Sequence, residues 1–153
     1  MKTATHLAGS GPVTPETRER RPRLEIVVPV TSIASAKAAI AAAGRLGTGL
    51  DTTIRLLKIQ LVPFPLQMDQ SPIADGFLED QLRELDALDI HVVREIRYAR
   101  DFDVCLRQAI TKRSLVVLAS AGRIWRPNLW KTREERLAKA LTAEGYSVVL
   151  IPC

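Results

Sequence analysis

The chain has 153 residues, of which 46% are hydrophobic and 25% are charged. These values are ordinary for one soluble globular domain with a real core. The longest apolar runs fall far short of the ~18 residues that cross a membrane, and the N-terminal segment lacks the apolar region of a secretory signal. We therefore expect a cytoplasmic protein. Cys105 and Cys153 are too few for a disulfide framework and lack the spacing of metal ligands.

The net charge of +5 is unevenly distributed along the chain. Between Asp103 and Glu134 there are seven basic residues and no acidic ones, whereas the rest of the chain has a net charge of −2. A second basic cluster comprises Arg18, Arg20, Arg21 and Arg23. Focused positive potential favours anionic partners such as a nucleotide, a phosphate, nucleic acid or an acidic protein surface.

Residues 1–22 are rich in Thr, Pro, Gly and Arg and have no periodicity, which predicts a disordered basic tail. Residues 23–153 are predicted to form one domain. Its strands are predicted at 24–30, 52–62, 90–98, 114–119 and 146–151. Its helices are predicted at 33–47, 77–88, 101–112 and 132–144, with Gly47 and Gly49 ending the first helix. Pro29 conflicts locally with a central strand and fits best near the end of that strand.

The alternation of strands and helices predicts an α/β fold, a three-layer α/β/α sandwich around a five-stranded parallel sheet of order 3-2-1-4-5. Ligands of such folds bind beyond the carboxyl ends of the strands, where the strand order reverses. The loops after Val30 and Ala119 are expected to meet at that point. The second loop ends at Thr132-Arg133-Glu134-Glu135, which matches a capping box at the start of the last helix.

Four segments of the chain resemble, in order and spacing, the universal stress protein family of the adenine-nucleotide α-hydrolase-like superfamily. They are VVPVTSIASAKAAIAAAGRLG, TIRLLKIQLVPFP, RYARDFDVCLRQAI and SLVVLASAGR…KTREERLAKAL…YSVVLIP. The resemblance covers residues 24–153. It implies the same sandwich fold, and also a homodimer formed through the last strand, from Tyr146 to Ile151.

The resemblance also implies an eroded ATP-binding motif. ATP-binding members carry Gly-x2-Gly-x9-Gly-Ser/Thr after strand four and an Asp after strand one that contacts the adenine. Here Ala119 occupies the first glycine position, Gly122 keeps the second, and the last pair reads Lys131-Thr132 after eight intervening residues. Thr31 occupies the place of the Asp. The candidate nucleotide-binding residues are Thr31, Ala119, Gly122, Arg123, Lys131 and Thr132.

Two interpretations of this loop remain open. Nucleotide binding has been weakened or lost, which we favour, or Arg123, Lys131 and Arg133 replace backbone contacts to phosphate with side-chain contacts. The same loop contains both tryptophans and several basic residues. This combination favours packing or a dimer contact, and it also allows an anionic ligand or an acidic protein surface to bind. That surface comprises Arg123, Trp125, Arg126, Trp130 and Lys131. Nucleic acid ranks last, because the chain has no nucleic-acid-binding motif.

No combination of residues in the sequence predicts catalysis. His6 and His91 are isolated, no cluster of His, Cys and carboxylates indicates a metal, and no Ser-His-Asp arrangement can be assembled. We therefore expect a non-catalytic regulatory or stress-response domain without a firmly bound cofactor. The alternative is an ATP or AMP sensor that uses the loop after strand four. A hydrolase or nucleotidyl-transfer enzyme of the wider superfamily ranks third.

Overall fold

The structure, a computed structural model, describes residues 23–66, 83, 86, 90–120 and 131–153. The strands are β1 Leu24–Val30, β2 Thr52–Leu61, β3 His91–Ala99, β4 Leu115–Ser120 and β5 Ser147–Pro152. The helices are α1 Ile33–Gly47, α2 Phe102–Ala109 and α3 Arg133–Ala143. Of the helix predicted at 77–88, only Arg83 and Asp86 are described, and both are helical. The predicted tail, 1–22, lies outside the described residues.

All strand pairs are parallel, and their order is β3-β2-β1-β4-β5. The predicted fold class and strand order are therefore confirmed. The first strand matches its predicted bounds, and the other strands differ from theirs by one residue at one end or at both. β3 and β5 are the two edges of the sheet, as expected for β5.

The two faces of the sheet are covered by different helices. α1 packs on one face through alanines such as Ala36, Ala39 and Ala43, whose small side chains allow close approach, together with Ile40. On the other face, α2 and α3 bury a second cluster that includes Cys105. Ile33, in the first turn of α1, is 55% exposed.

The end of α2 differs from the prediction, whereas the end of α1 matches it. α2 stops at Ala109 rather than at residue 112, because Ile110 adopts an extended conformation with ψ 155°. α1 ends at Gly47, where an added Cβ would lie 3.3 Å from Thr52 Cγ2. The positive φ of the following turn falls on Gly49, at 77°, a conformation that glycine adopts without steric cost. Each glycine therefore has a separate role in the turn to β2.

Pro29 is buried near the end of β1, the position that the sequence favoured. β1 pairs with β2 as far as Val30, but its pairing with β4 comprises only Ile26 with Leu115 and Val27 with Val116. Proline has no backbone N–H to donate, so it cannot extend a hydrogen-bonded ladder. The carboxyl ends of β1 and β4 are consequently unpaired with each other at the point where the strand order reverses.

In its amino-terminal half, the sheet is tied together by charged side chains. The guanidinium of Arg55 on β2 donates to Glu95 Oε2 on β3 at 2.7 Å, and its Nε lies 3.1 Å from Glu25 Oε1 on β1. It also donates to the carbonyl oxygen of Ala109 at 2.7 Å. Arg97 and Ser114 donate to Glu95 and Glu25, respectively. We call Glu25, Arg55, Glu95 and Arg97 the Arg55 network.

Glu95 has a lowered pKa within this network. Burial alone would raise the pKa of its carboxyl, but hydrogen bonds from Arg55 and Arg97 and the charges of both guanidinium groups outweigh burial. The negative form of Glu95 is thus favoured by folding. The network links three neighbouring strands through side chains as well as through their backbones.

Candidate functional site

The site predicted from the sequence lies at the carboxyl ends of β1 and β4, where α1 and α3 begin. Thr31 follows β1, Ser120 ends β4, and Thr132 precedes α3. Most of the polar side chains at these strand ends carry hydroxyl groups. We call this group of residues the switch-point cluster, comprising Thr31, Ser32, Ser35, Ser120, Thr132 and Glu135.

On the β1 side, three hydroxyl groups bond to one another. Thr31 Oγ1 and Ser35 Oγ are 3.0 Å apart, and Ser32 Oγ lies 2.5 Å from Ser35 Oγ. Ser32 caps α1, because its side chain accepts the backbone N–H of Ser35 at 3.2 Å. Thr31 therefore supplies a neutral hydroxyl, already bonded to the first turn of α1, at the position where the resemblance places a carboxylate.

On the β4 side, the predicted capping box is present. Thr132 Oγ1 accepts the N–H of Glu135 at 3.2 Å, and Glu135 Oε2 accepts the N–H of Thr132 at 3.1 Å. Ser120 Oγ lies 2.9 Å from Thr132 Oγ1 and donates to Glu135 Oε1 at 3.3 Å. A carboxylate thus occupies the start of α3, where the helix dipole favours negative charge.

This arrangement determines which anion donors remain at the start of α3. The first N–H groups of a helix have no intrahelical partner and commonly bind phosphate. Here the N–H groups of Thr132 and Glu135 are occupied by the capping box. The N–H groups of Arg133 and Glu134 are the two for which the described part of the chain supplies no acceptor. A phosphate would find two donors beside a fixed negative charge.

The cluster contains a hydroxyl beside a carboxylate, but its geometry does not suit nucleophilic catalysis. Ser120 is 3% exposed, so a substrate atom has no access to its Oγ. The Oγ is also hydrogen-bonded to two partners of the same cluster. Within residues 23–66, 83, 86, 90–120 and 131–153, no three metal-binding side chains are grouped together. The arrangement therefore stabilises two helix starts.

The structure brings some predicted site residues together and separates others. Thr31 follows β1, Thr132 precedes α3, and Lys131 is exposed beside Thr132. Ala119, predicted as the last residue of its strand and as a candidate nucleotide-binding residue, pairs with Ile151 inside β4 and is buried against the α1 face. The remaining predicted residues lie outside the described residues: Gly122, Arg123, Trp125, Arg126 and Trp130.

Sequence reasoning missed two buried hydroxyls of this cluster, Ser35 and Ser120. Ser35 follows Ser32 by three residues, the spacing at which a capping side chain meets a backbone N–H, so a local signal was present. Ser120 carried no such signal, because its partners are twelve and fifteen residues away. Only the pairing of β4 with its neighbours and the start of α3 place it there.

Comparison with known proteins adds evidence about the fold. No family model matches the sequence, and no curated protein matches it significantly. Among solved structures, a protein from the universal stress protein family from Burkholderia pseudomallei is 16% identical, with a TM-score of 0.57, over 84% of this chain and 96% of that chain. A universal stress protein in complex with cAMP is 17% identical, with a TM-score of 0.52, over 86% and 96%.

The chain has a universal stress protein-like fold. The resemblance that four sequence segments indicated is thereby confirmed for the fold. At 16–17% identity, the likeness shows the fold and not the roles of individual residues. The properties of the site in this universal stress protein-like chain follow from its own contacts. None of the helices in the described part of the chain combines the length and apolarity needed to cross a membrane.

Proposed function

We propose that the chain is a cytoplasmic, non-catalytic regulatory domain of the universal stress protein type, in which ATP binding is weak or lost. The observation that carries this proposal is the capping box of Thr132 and Glu135, joined to buried Ser120. It places a carboxylate and bonded N–H groups where a phosphate-binding loop would present free donors.

Coulomb's law gives the size of the repulsion between the Glu135 carboxylate and a bound phosphate. A phosphate oxygen about 4 Å from the Glu135 carboxylate is repelled by on the order of 1–4 kcal/mol, depending on the local dielectric. One new hydrogen bond contributes about 0.5–1.5 kcal/mol. Repulsion therefore offsets one or more contacts that a phosphate gains at the start of α3. At the end of β1, neutral Thr31 supplies no carboxylate for an adenine.

A nucleotide sensor is the second candidate. It is supported by the unpaired carboxyl ends of β1 and β4 and by the fold neighbour that was solved in complex with cAMP. In this candidate, Gly122, Arg123 and Thr132 hold the phosphate, and the ligand displaces Glu135 from the cap. The two candidates therefore differ in whether the capping box opens.

Calorimetric titration with MgATP and with cAMP tests both candidates. We expect no saturable binding with a dissociation constant below about 1 mM. Glu135→Gln should strengthen any residual ATP binding by removing the repulsion. Glu134→Gln removes an equal charge one residue away without breaking the capping box, and is the matched control. Micromolar affinity for ATP would overturn the proposal, whereas micromolar affinity for cAMP would favour the sensor. ATP turnover above the buffer rate would contradict the non-catalytic assignment.

We further propose a homodimer formed through the β5 edge. Edge strands expose unpaired backbone groups, and β5 presents Leu150, which is 38% exposed, among half-buried valines. A second copy of the same edge would cover these groups. Sedimentation over a range of concentrations should give a dimer that dissociates on dilution, and a monomer at all concentrations would refute this assembly.

A further inference from the structure

A surface pocket lies on the α2 and α3 side of the sheet, next to the start of α3. Its volume is about 610 Å³, within the roughly 300–1,000 Å³ of small-molecule sites. Apolar groups from β2, α2 and α3 line part of it: Leu61, Phe102, Leu137 and Ala140. No local sequence pattern predicts this pocket, because its described walls come from three separate segments of the chain.

Two arginines of α3 line the same pocket. Arg133 and Arg136 are three residues apart, so they share one face of the helix. The guanidinium carbon of Arg133 lies 4.3 Å from the ring centroid of Phe102. This stacking orients the guanidinium without neutralising it, which leaves its N–H donors for another group. Neither arginine has a carboxylate partner among the residues that the structure describes.

The other charged residues around the pocket are engaged elsewhere. Arg100 donates to the carbonyl oxygens of Val62 and Leu66 at 2.6 and 2.8 Å. Asp101 caps α2 by accepting the N–H of Val104 at 2.9 Å. The charge of Asp103 acts on the neighbouring Arg107. Among the described residues, three arginines and two aspartates line the pocket, which gives it a net charge of +1 beside an apolar surface.

We propose that this pocket binds a phosphate monoester whose body is apolar or aromatic. A phosphate monoester carries about −1.5 to −2 charges at pH 7, so the net positive charge of the pocket attracts it. The planar guanidinium groups of Arg133 and Arg136 donate to its oxygens, and its apolar body lies against Leu61, Phe102 and Leu137. At the switch-point cluster the same ligand would meet the Glu135 carboxylate beside the two free N–H groups, so the proposal does not depend on binding there.

Titration of the full chain with naphthyl phosphate, inorganic phosphate and naphthol tests the proposal. We expect naphthyl phosphate to bind at least about tenfold more tightly than either fragment, because only it uses both the charges and the apolar surface. Arg136→Gln should weaken its binding by about tenfold or more. Lys139→Gln removes an equal charge from the same helix outside the pocket, and should change binding by less than about twofold.

Ala140→Leu separates a shaped pocket from simple charge attraction. It fills the space with a residue of good helix propensity, so naphthyl phosphate should bind at least about tenfold more weakly while inorganic phosphate is unaffected. The thermal midpoint of each variant checks that it is folded. The proposal is wrong if Lys139→Gln weakens binding as much as Arg136→Gln, if Ala140→Leu has no effect, or if the parent chain shows no saturable binding below about 10 mM.

Discussion

In the amino-terminal half of the sheet, Arg55 joins carboxylates from the strands on both sides of it, whereas the carboxyl ends of β1 and β4 are not paired at all. The side chains at the unpaired end are neutral hydroxyls with one carboxylate, Glu135, and their hydrogen bonds cap α1 or join the end of β4 to the start of α3. Side chains thus link neighbouring strands in one half of the sheet, and link strand ends to helix starts at the other end.

This difference indicates how stability and recognition are divided in the molecule. Cross-strand ion pairs fix the arrangement of β1, β2 and β3, so the other end can remain unpaired without loss of the fold. Ligand-binding regions are commonly drawn from the less stable parts of a structure. In this chain, hydroxyl groups at the unpaired ends of β1 and β4 cap the helices that follow.

Breaking the Arg55 network should produce the largest effect. Arg55→Met leaves Glu25 and Glu95 without their shared partner and the carbonyl of Ala109 without its donor. The side chain of Arg55 is only 13% exposed, but that of Glu25 is 36% exposed and partly screened by water. We expect a loss of about 2–4 kcal/mol in the free energy of unfolding, measured by urea denaturation.

Lys37→Met is the matched control for this loss. Lys37 is an exposed cation on α1, and its substitution should change the free energy of unfolding by less than about 0.5 kcal/mol. If the two variants are equally stable, the network does not hold the strands together, and the contrast between the two ends of the sheet is lost.

Removing the hydroxyl of Thr132 should have a smaller effect, because it breaks a local cap. Thr132→Ala loses the acceptor for the N–H of Glu135 and the contact to Ser120. The expected cost is about 1 kcal/mol in the free energy of unfolding. Thr132→Ser keeps the hydroxyl and should lose less than half as much. Equal stability of the alanine and serine variants would indicate that this hydroxyl does not cap α3.

The smallest effect is expected from Glu95, and it depends on pH. Its folded-state pKa lies below the ordinary value of 4.5, because hydrogen bonds from Arg55 and Arg97 outweigh its burial. The unfolded state therefore takes up the proton first as pH falls, and the contribution of Glu95 is lost as pH falls from about 4.5 through the folded pKa. That contribution is complete above this range.

Glu95→Gln should therefore reduce the slope of stability against pH in the acid range and cost below about 1 kcal/mol at neutral pH. Urea denaturation at a series of pH values measures both quantities. Identical slopes for Glu95→Gln and the parent chain would contradict the lowered pKa.

The sequence predicted the fold because each element carries its own local signal. The bounds of β1, the buried stripe of α2 and the capping box at Thr132 all follow from residues close together in the chain. The Arg55 network was not predictable in this way. It requires the register that places Val27 opposite Arg55 and Leu57 opposite Glu95, and register depends on the whole sheet.

The rule that ligands bind where strand order reverses led to the loops after Val30 and Ala119, and the resemblance led to Thr31 and Thr132 within them. Whether those hydroxyls are available to a ligand depends on contacts such as that between Ser120 and Thr132, which join residues twelve positions apart. The arginine pocket depends on packing between α2 and α3, for which the sequence has no local pattern.

The most direct test of whether the unpaired ends of β1 and β4 still bind a nucleotide is the backbone amide signal of Glu135, followed by NMR as MgATP is added. The N–H of Glu135 is bonded to Thr132 in the capping box, so it reports whether the cap opens. We predict that this signal and that of Ser35 remain unchanged up to about 1 mM MgATP. A saturable shift of both signals at micromolar MgATP would contradict the account, because it would mean that a nucleotide displaces the cap and binds at the unpaired ends of β1 and β4.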